Sequence, residues 1–95
     1  MKYSKTAKTM LNIIDTYHSL IIAKNKDINY KNGYFSATKV ALNAILNNTT
    51  EKERHQQQYY RQAVEYFNNY GGNLSVKDQN MIKSNIQTIL SHTAA

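Results

Sequence analysis

Apolar side chains recur at intervals of three and four residues through the first quarter of the chain. This spacing places them on one face of an α-helix. The recurring positions are Ala7, Met10, Leu11, Ile14, Tyr17, His18 and Ile21. The pattern predicts a first helix from about Ser4 to Lys24 that buries this face.

The next segment, Asn25–Phe35, is rich in Asn, Asp and Lys and has no clear period. Its Asn32-Gly33 pair is a strong turn signal, and the same pair also occurs in β-hairpins. The flanks are too short for convincing strands, and an isolated two-stranded hairpin is marginally stable in water. The pattern favours a loop that lays four apolar side chains over the core edge. These are Ile28, Tyr30, Tyr34 and Phe35.

A second helix is predicted from about Ser36, a suitable N-cap, to Asn47. One predicted face is apolar, and its small side chains would let a neighbouring helix approach closely. The face consists of Ala37, Val40, Ala41, Ala44 and Ile45, with Leu42 and Leu46 beside it.

The sequence Thr50-Glu51-Lys52-Glu53 matches a capping box and predicts the start of a third helix. The first turns of this helix are polar all round, so they are expected to project into solvent. An apolar stripe follows at Tyr60, Ala63, Val64 and Phe67, with Tyr59, Tyr66 and Tyr70 on its shoulders.

The segment Gly71-Gly72-Asn73-Leu74-Ser75 predicts a tight corner between helices. A glycine in the left-handed conformation would end the third helix. Ser75 would cap the fourth helix, with Asp78 in its first turn, and Leu74 would turn inward. The last stripe contains Ile82, Ile86, Ile89 and Leu90, and it ends near Ser91.

Four amphipathic segments with mostly short connections predict an all-α protein, an antiparallel four-helix bundle that forms one domain over residues 1–95. The chain contains no proline to interrupt a helix and no cysteine for a disulfide or a thiolate metal site. No apolar run approaches the length of a membrane span or of a signal-peptide centre. We therefore expect a cytosolic protein.

The formal net charge is +6, and Lys2, Lys5 and Lys8 concentrate part of it near the N-terminus. Such a patch predicts weak, salt-sensitive contact with an anionic membrane. His18, His55 and His92 have no metal-binding spacing, and the chain has no phosphate-binding loop or nucleophile motif. We expect no enzyme activity, no cofactor, no metal and no small-molecule substrate.

Eight tyrosines among 95 residues are many, and four of them lie in the third predicted helix. Tyrosine at the core boundary buries its ring and keeps its hydroxyl in water, which is one explanation. The other is a contact surface, because aromatic side chains are enriched at protein and membrane interfaces. The candidate partner-binding surface consists of Tyr59, Tyr66, Tyr70, Lys77 and Lys83.

A DNA-binding regulator is the alternative. The Gly71–Ser75 corner has about the length of a helix-turn-helix turn. The following helix carries polar side chains of types that read bases. They are Lys77, Gln79, Asn80, Lys83, Asn85 and Gln87.

The residues Ala63–Phe67, Gly71–Ser75 and Ile82, Ile86 and Ile89 resemble the helix–glycine–Leu-Ser–helix arrangement of the immunity proteins for pediocin-like (class IIa, enterocin A-type) bacteriocins. The resemblance implies a cytosolic antiparallel bundle in a Gram-positive producer cell. It also implies a function, protection of the producer from its own pore-forming peptide. The implied partner is the membrane receptor, a sugar phosphotransferase permease, with the bacteriocin bound.

Overall fold

The computed structural model describes residues 3–23, 27–49, 51–72 and 75–93. Within these residues the chain forms four α-helices and no strand, which confirms the all-α prediction. The helices are α1 (Lys5–Ile21), α2 (Ile28–Asn47), α3 (Gln57–Tyr70) and α4 (Val76–Ser91), and a short 3-10 turn, Glu51–Glu53, precedes α3.

The helices pack as a closed ring in which each contacts its neighbours in the sequence and α4 returns to α1. The molecule measures 41 × 22 × 19 Å. Packed helices lie 8–10 Å apart, so the two shorter dimensions each fit two helices. Late α1 meets early α2 where Tyr17 contacts Phe35, and the start of α1 meets the end of α4 where the Ser4 amide donates to the Thr93 hydroxyl. Neighbouring helices are therefore antiparallel, as predicted.

The core takes side chains from all four helices. The predicted stripes of α1 and α3 are buried in full, and in α4 Ile82, Ile86 and Leu90 are buried while Ile89 is partly buried. His18 is only 7 % exposed, and its Nδ1 has no hydrogen-bond partner among the described residues. Three helices thus bury the faces that their periodicity predicts.

The start of α2 differs from the predicted loop. Within the described residues, α2 begins at Ile28, after Asp27 accepts a 2.8 Å hydrogen bond from the Tyr30 amide. Asn32 and Gly33 are therefore inside a helix, and the turn interpretation was wrong. The helix extends through them, and Phe35 then packs against the core with its ring centroid 5.3 Å from that of Phe67.

The earlier start also corrects the predicted face of α2. Ser36 lies within the helix and is not its N-cap. Val40, expected to face the core, is 71 % exposed, whereas Thr38 and Leu42 are buried. Phe35 sets the inward face of α2. The sequence prediction placed this residue in a loop over Asn25–Phe35 and so did not count it in the helical pattern.

The predicted capping box does not begin α3. Thr50 lies outside the described residues, Glu51–Glu53 form the 3-10 turn, and α3 starts at Gln57. The Glu53 carboxylate instead accepts hydrogen bonds from the hydroxyls of Thr6 and Tyr60. This segment is tied to α1 rather than projecting freely into solvent.

The corner between α3 and α4 contains a glycine for a different reason from the one predicted. Gly71 is right-handed, with φ −64° and ψ −18°, and no described glycine has a positive φ. A Cβ on Gly71 would lie 2.9 Å from two ring carbons of Phe67, so only glycine fits this close approach. The Ser75 cap and Asp78 in the first turn of α4 are confirmed. Leu74 lies outside the described residues.

Candidate interaction surface

The antiparallel order gives the bundle two chemically different ends. The polar end contains the starts of α1 and α3 and the finish of α4. There the Ser4 amide donates to Thr93 Oγ1 at 3.2 Å, and the Ser4 and Tyr60 hydroxyls are 2.6 Å apart. Tyr60 in turn donates to Glu53 at 3.0 Å. Burial raises the pKa of Tyr60, and its hydrogen bond to the Glu53 carboxylate raises that pKa further.

An aromatic cluster of Tyr17, Phe35 and Phe67 lies toward the opposite end. The Tyr17 and Phe67 rings meet edge to face, with centroids 5.2 Å apart and planes at 77°. The Tyr17 hydroxyl and the Gln79 amide both donate to the Gly71 carbonyl oxygen, each at 2.8 Å. Burial raises the pKa of Tyr17 to about 12. These contacts join all four helices.

The exposed large apolar side chains concentrate around this second end. Among the described residues seven such side chains are exposed, and Val40 in the middle of α2 is one of them. The other six lie where α1 finishes, α2 begins, α3 finishes and α4 begins. We call this group the apolar end. It consists of Ile22, Ile28, Tyr30, Tyr70, Val76 and Met81.

A cavity of about 420 Å³ opens on the flank of the apolar end. Its walls include Phe35, Tyr66, Tyr70 and Met81, and Asp78 contributes a carboxylate. Asn68 also lines it, and its Oδ1 is buried without a hydrogen-bond donor among the described residues. The cavity is therefore mostly apolar, with few polar groups, as protein anchor sites and small-ligand sites commonly are.

The three candidate tyrosines lie together along the line where α3 meets α4, and we call them the tyrosine seam. The Tyr66 hydroxyl accepts a 2.7 Å hydrogen bond from Asn85. The Tyr59 ring stacks on His92 with centroids 5.1 Å apart, and the Tyr66 and Tyr70 centroids are 4.8 Å apart. The seam runs from the polar end to the cavity.

One of the two candidate lysines, Lys83, does not join this seam. Lys83 lies on the side of α4 that faces α1, and its Nζ is 3.0 Å from an Asp15 carboxylate oxygen. Lys77 is exposed, and six residues of helix place it roughly a third of a turn around α4 from Lys83. Lys83 therefore lies apart from the three tyrosines, whereas Lys77 precedes Met81 of the cavity wall by one helical turn.

The sequence interpretation missed most of the apolar end. Tyr70 was predicted to contribute to a surface, but Val76 and Met81 were not singled out. Ile28 and Tyr30 were expected to cover the core edge and are instead exposed in the first turn of α2. The apolar end could have been predicted from apolar residues that lie off the helical stripes and close to the predicted helix ends.

Contacts within the bundle also engage side chains that would be needed to read DNA bases. Gln79 is buried and donates to Gly71, Lys83 pairs with Asp15, and Asn85 donates to Tyr66. Three of the six candidate base-reading side chains are thus engaged within the bundle.

Two kinds of feature are absent from the described residues. No group of three or more His, Cys, Asp or Glu side chains is arranged to hold a metal ion. No helix formed by these residues combines the length and the apolar character that crossing a bilayer requires.

Comparison of the chain with protein-family models, with curated proteins and with solved structures gives no match in any of the three.

Proposed function

We propose that this chain is an immunity protein for a pediocin-like (class IIa, enterocin A-type) bacteriocin. It would act in the cytosol of the producer cell, at the inner face of the membrane. Its partner is the sugar phosphotransferase permease with the bacteriocin bound, and docking on this complex stops the lethal effect of the peptide. The proposal rests on the resemblance in residues 63–67 and 71–75 and at Ile82, Ile86 and Ile89. An antiparallel four-helix fold agrees with what that resemblance implies.

The tyrosine seam is the observation that carries the docking part of the proposal. Three tyrosines align on one side of α3, and Asn85 and His92 of α4 contact two of them. Aromatic residues are enriched and charged residues depleted at the centres of protein interfaces. The seam leads to the 420 Å³ cavity, which could receive one anchoring side chain of a partner.

The bundle holds this surface rigidly. The Gly71 carbonyl oxygen accepts from both Tyr17 and Gln79, and this fixes the corner from which α4 departs. A preorganised surface loses less conformational entropy when it binds. Recognition without catalysis is the role that such an arrangement supports best.

Expression in a sensitive strain tests the function. Cells that carry the gene should tolerate its cognate bacteriocin at higher concentrations than cells with an empty vector. The peptides should include any encoded beside this gene. Equal killing of both cell types by every peptide of the panel would refute the proposal.

Nucleic-acid binding remains the alternative prediction, and a gel-shift titration at low and high salt tests it. Salt-steep binding with a preference for one sequence would favour a regulator. The immunity proposal expects at most weak, sequence-independent binding through the net positive charge.

A further inference from the structure

The outer side of α2 carries no charge over most of its length. The exposed residues of this stretch are all uncharged, and we call them the α2 flank. They are Gly33, Ser36, Ala37, Val40, Ala44 and Asn47. The one charged residue of the stretch is Lys39, and its Nζ lies 4.5 Å from the centroid of the Phe35 ring, one helical turn earlier. Charged residues are depleted at the centres of protein interfaces, and the α2 flank shares this property.

The α2 helix is apolar on two opposite sides, which is typical of a buried helix rather than of a surface helix. Phe35 and Leu42 pack in the core, whereas Ala37, Val40 and Ala44 face outward. Val40 is 71 % exposed, the highest value among the exposed large apolar side chains of the described residues. The ring of four helices therefore leaves one apolar side of α2 uncovered.

The relief of this side suits an approaching helix. α2 forms a ridge between a groove of about 770 Å³ on the side of α3 and a groove of about 460 Å³ on the side of α1. Val40 and Asn68 both line the larger groove. The Oδ1 atom of Asn68 is buried and has no hydrogen-bond donor among the described residues. A partner helix in this groove could bury Val40 and donate to Asn68.

The charge of the chain favours a second copy as the partner. The net charge is +6, so two copies repel each other when faces that carry lysine or arginine meet. At the α2 flank two copies can meet without bringing such side chains together. An acidic partner would instead gain from contact with basic residues on other faces, such as Lys5 and Arg61, which are exposed. An uncharged side is of use to a partner that is itself basic.

The size of the α2 flank limits how stable such a pair can be. From Gly33 to Asn47 it is about 21 Å long, and the bundle is 19–22 Å across. Two such faces bury roughly 1,000 Å² in total once the relief of the side chains is counted, which is the lower limit for a specific interface. A two-fold pair needs only this one surface, used twice. We therefore expect a weak and reversible dimer.

We infer that the chain forms a two-fold dimer through the α2 flank, with the Val40 ridge of each copy in the groove between α2 and α3 of the other. The tyrosine seam follows the opposite edge of α3, where that helix meets α4, so it stays exposed in the dimer. The dimer goes beyond bacteriocin immunity and does not depend on it.

Sedimentation equilibrium of the full chain over a range of concentrations tests the dimer. We expect a monomer–dimer equilibrium with a dissociation constant on the order of 10–100 µM. Raising NaCl from about 0.05 to about 0.5 M should tighten the dimer several-fold, because salt screens the repulsion between two basic chains. A chain that stays monomeric up to about 1 mM would overturn the inference.

Lysine substitutions locate the interface. Val40→Lys places one lysine from each copy in the interface and should weaken the dimer at least about tenfold. The matched control is Met81→Lys, which introduces the same charge at an exposed apolar side chain of α4 and should weaken it by less than about twofold. Both replaced side chains are more than half exposed, and circular dichroism verifies that both variants remain helical. Equal weakening by the two variants contradicts an interface at the α2 flank.

Single cysteines show directly which sides meet, because the chain has no cysteine of its own. Val40→Cys should form a disulfide between two copies under mild oxidation, as seen on a non-reducing gel. Met81→Cys is similarly exposed and should cross-link much more slowly. Faster cross-linking through Met81→Cys would place the contact at the apolar end and refute the dimer proposed here.

The association experiments and the tolerance experiment fail independently. A dimer through the α2 flank without protection against any bacteriocin would refute the proposed function and leave the dimer intact. Protection by a chain that stays monomeric would overturn the dimer and leave the proposed function intact.

Discussion

The hydroxyl of Tyr17 in α1 donates a 2.8 Å hydrogen bond to the carbonyl oxygen of Gly71, the residue that follows α3. Gln79 of α4 donates to the same oxygen at the same distance. The carbonyl at the end of a helix normally lacks a partner within that helix. Here side chains from two other helices supply the donors, so the chain reversal and the packing of three helices depend on one oxygen atom.

The raised pKa of Tyr17 gives a dependence of stability on pH. The fold holds the phenol neutral to about pH 12, whereas the unfolded chain ionises near 10. The unfolded state therefore binds fewer protons in this window, and the free energy of unfolding falls as pH rises. The stabilisation is complete below pH 10 and is lost between about 10 and 12, for a total of about 2–3 kcal/mol. Urea unfolding across this range measures the loss.

Tyr17→Phe is the control for this pH dependence, because other tyrosines and lysines titrate in the same range. Loss of the hydrogen bond to Gly71 should lower the free energy of unfolding by about 1 kcal/mol at neutral pH. Above pH 10 the variant should lose less stability than the unaltered protein. Identical pH dependence in both proteins would show that Tyr17 does not cause the decline.

Two glycine-to-alanine substitutions should change stability in opposite directions. Gly71→Ala brings a methyl group within 2.9 Å of the buried Phe67 ring, which should cost about 1–3 kcal/mol. Gly33→Ala meets nothing within 4 Å and lies inside α2, so it should add about 0.5–1 kcal/mol. Denaturant unfolding of both variants gives the comparison. A destabilised Gly33→Ala would instead favour a turn at Asn32-Gly33.

Glu53 should matter for stability although it lies in a short connecting turn. Glu53→Ala leaves the hydroxyls of Tyr60 and Thr6 without their carboxylate acceptor, at a cost of about 1–3 kcal/mol. Glu53→Gln keeps an acceptor oxygen and should lose less. The control is Glu51→Ala in the same turn, which is exposed and should change stability by less than about 0.5 kcal/mol. Thermal unfolding that ranks Glu51→Ala as the most harmful change would contradict the assigned contacts.

The immunity proposal predicts unequal effects among the five candidate residues. Tyr66→Ala, which alters the tyrosine seam beside the cavity, should lower bacteriocin tolerance in cells. Lys83→Ala should leave tolerance nearly unchanged, because Lys83 faces α1 and its partly exposed ion pair with Asp15 is worth less than about 1 kcal/mol. Equal protein levels must be verified by immunoblot. The reverse order of effects would move the docking surface to the α1–α4 side.

Periodicity predicted most of α1, α3 and α4 because each has one apolar stripe with polar residues opposite. The Ser75 cap was predictable for a similar reason, since one side chain and a nearby amide suffice to form it. These features depend on local spacing, and the apolar faces predicted from that spacing are the faces that the bundle buries. The ring of four antiparallel helices then follows from short connections.

The start of α2 depended on information that local spacing lacks. Asn32 and Gly33 favour a turn by themselves, whereas the Asp27 cap and the contacts of Phe35 with Tyr17 and Phe67 favour a helix across them. Glu53 was misassigned similarly, because its hydroxyl partners Thr6 and Tyr60 lie in other helices. The apolar end was missed because it forms only when four helix ends meet.

The hydrogen bond between the Ser4 amide and the Thr93 hydroxyl has a practical consequence for labelling. It places the two outermost described segments side by side, at the pole farthest from Ile28 and Met81. Any fluorescent protein or affinity tag fused before Ser4 or after Thr93 therefore departs on the far side. A tag at either position should therefore leave the end of the bundle that carries Ile28 and Met81 accessible in imaging and pull-down experiments.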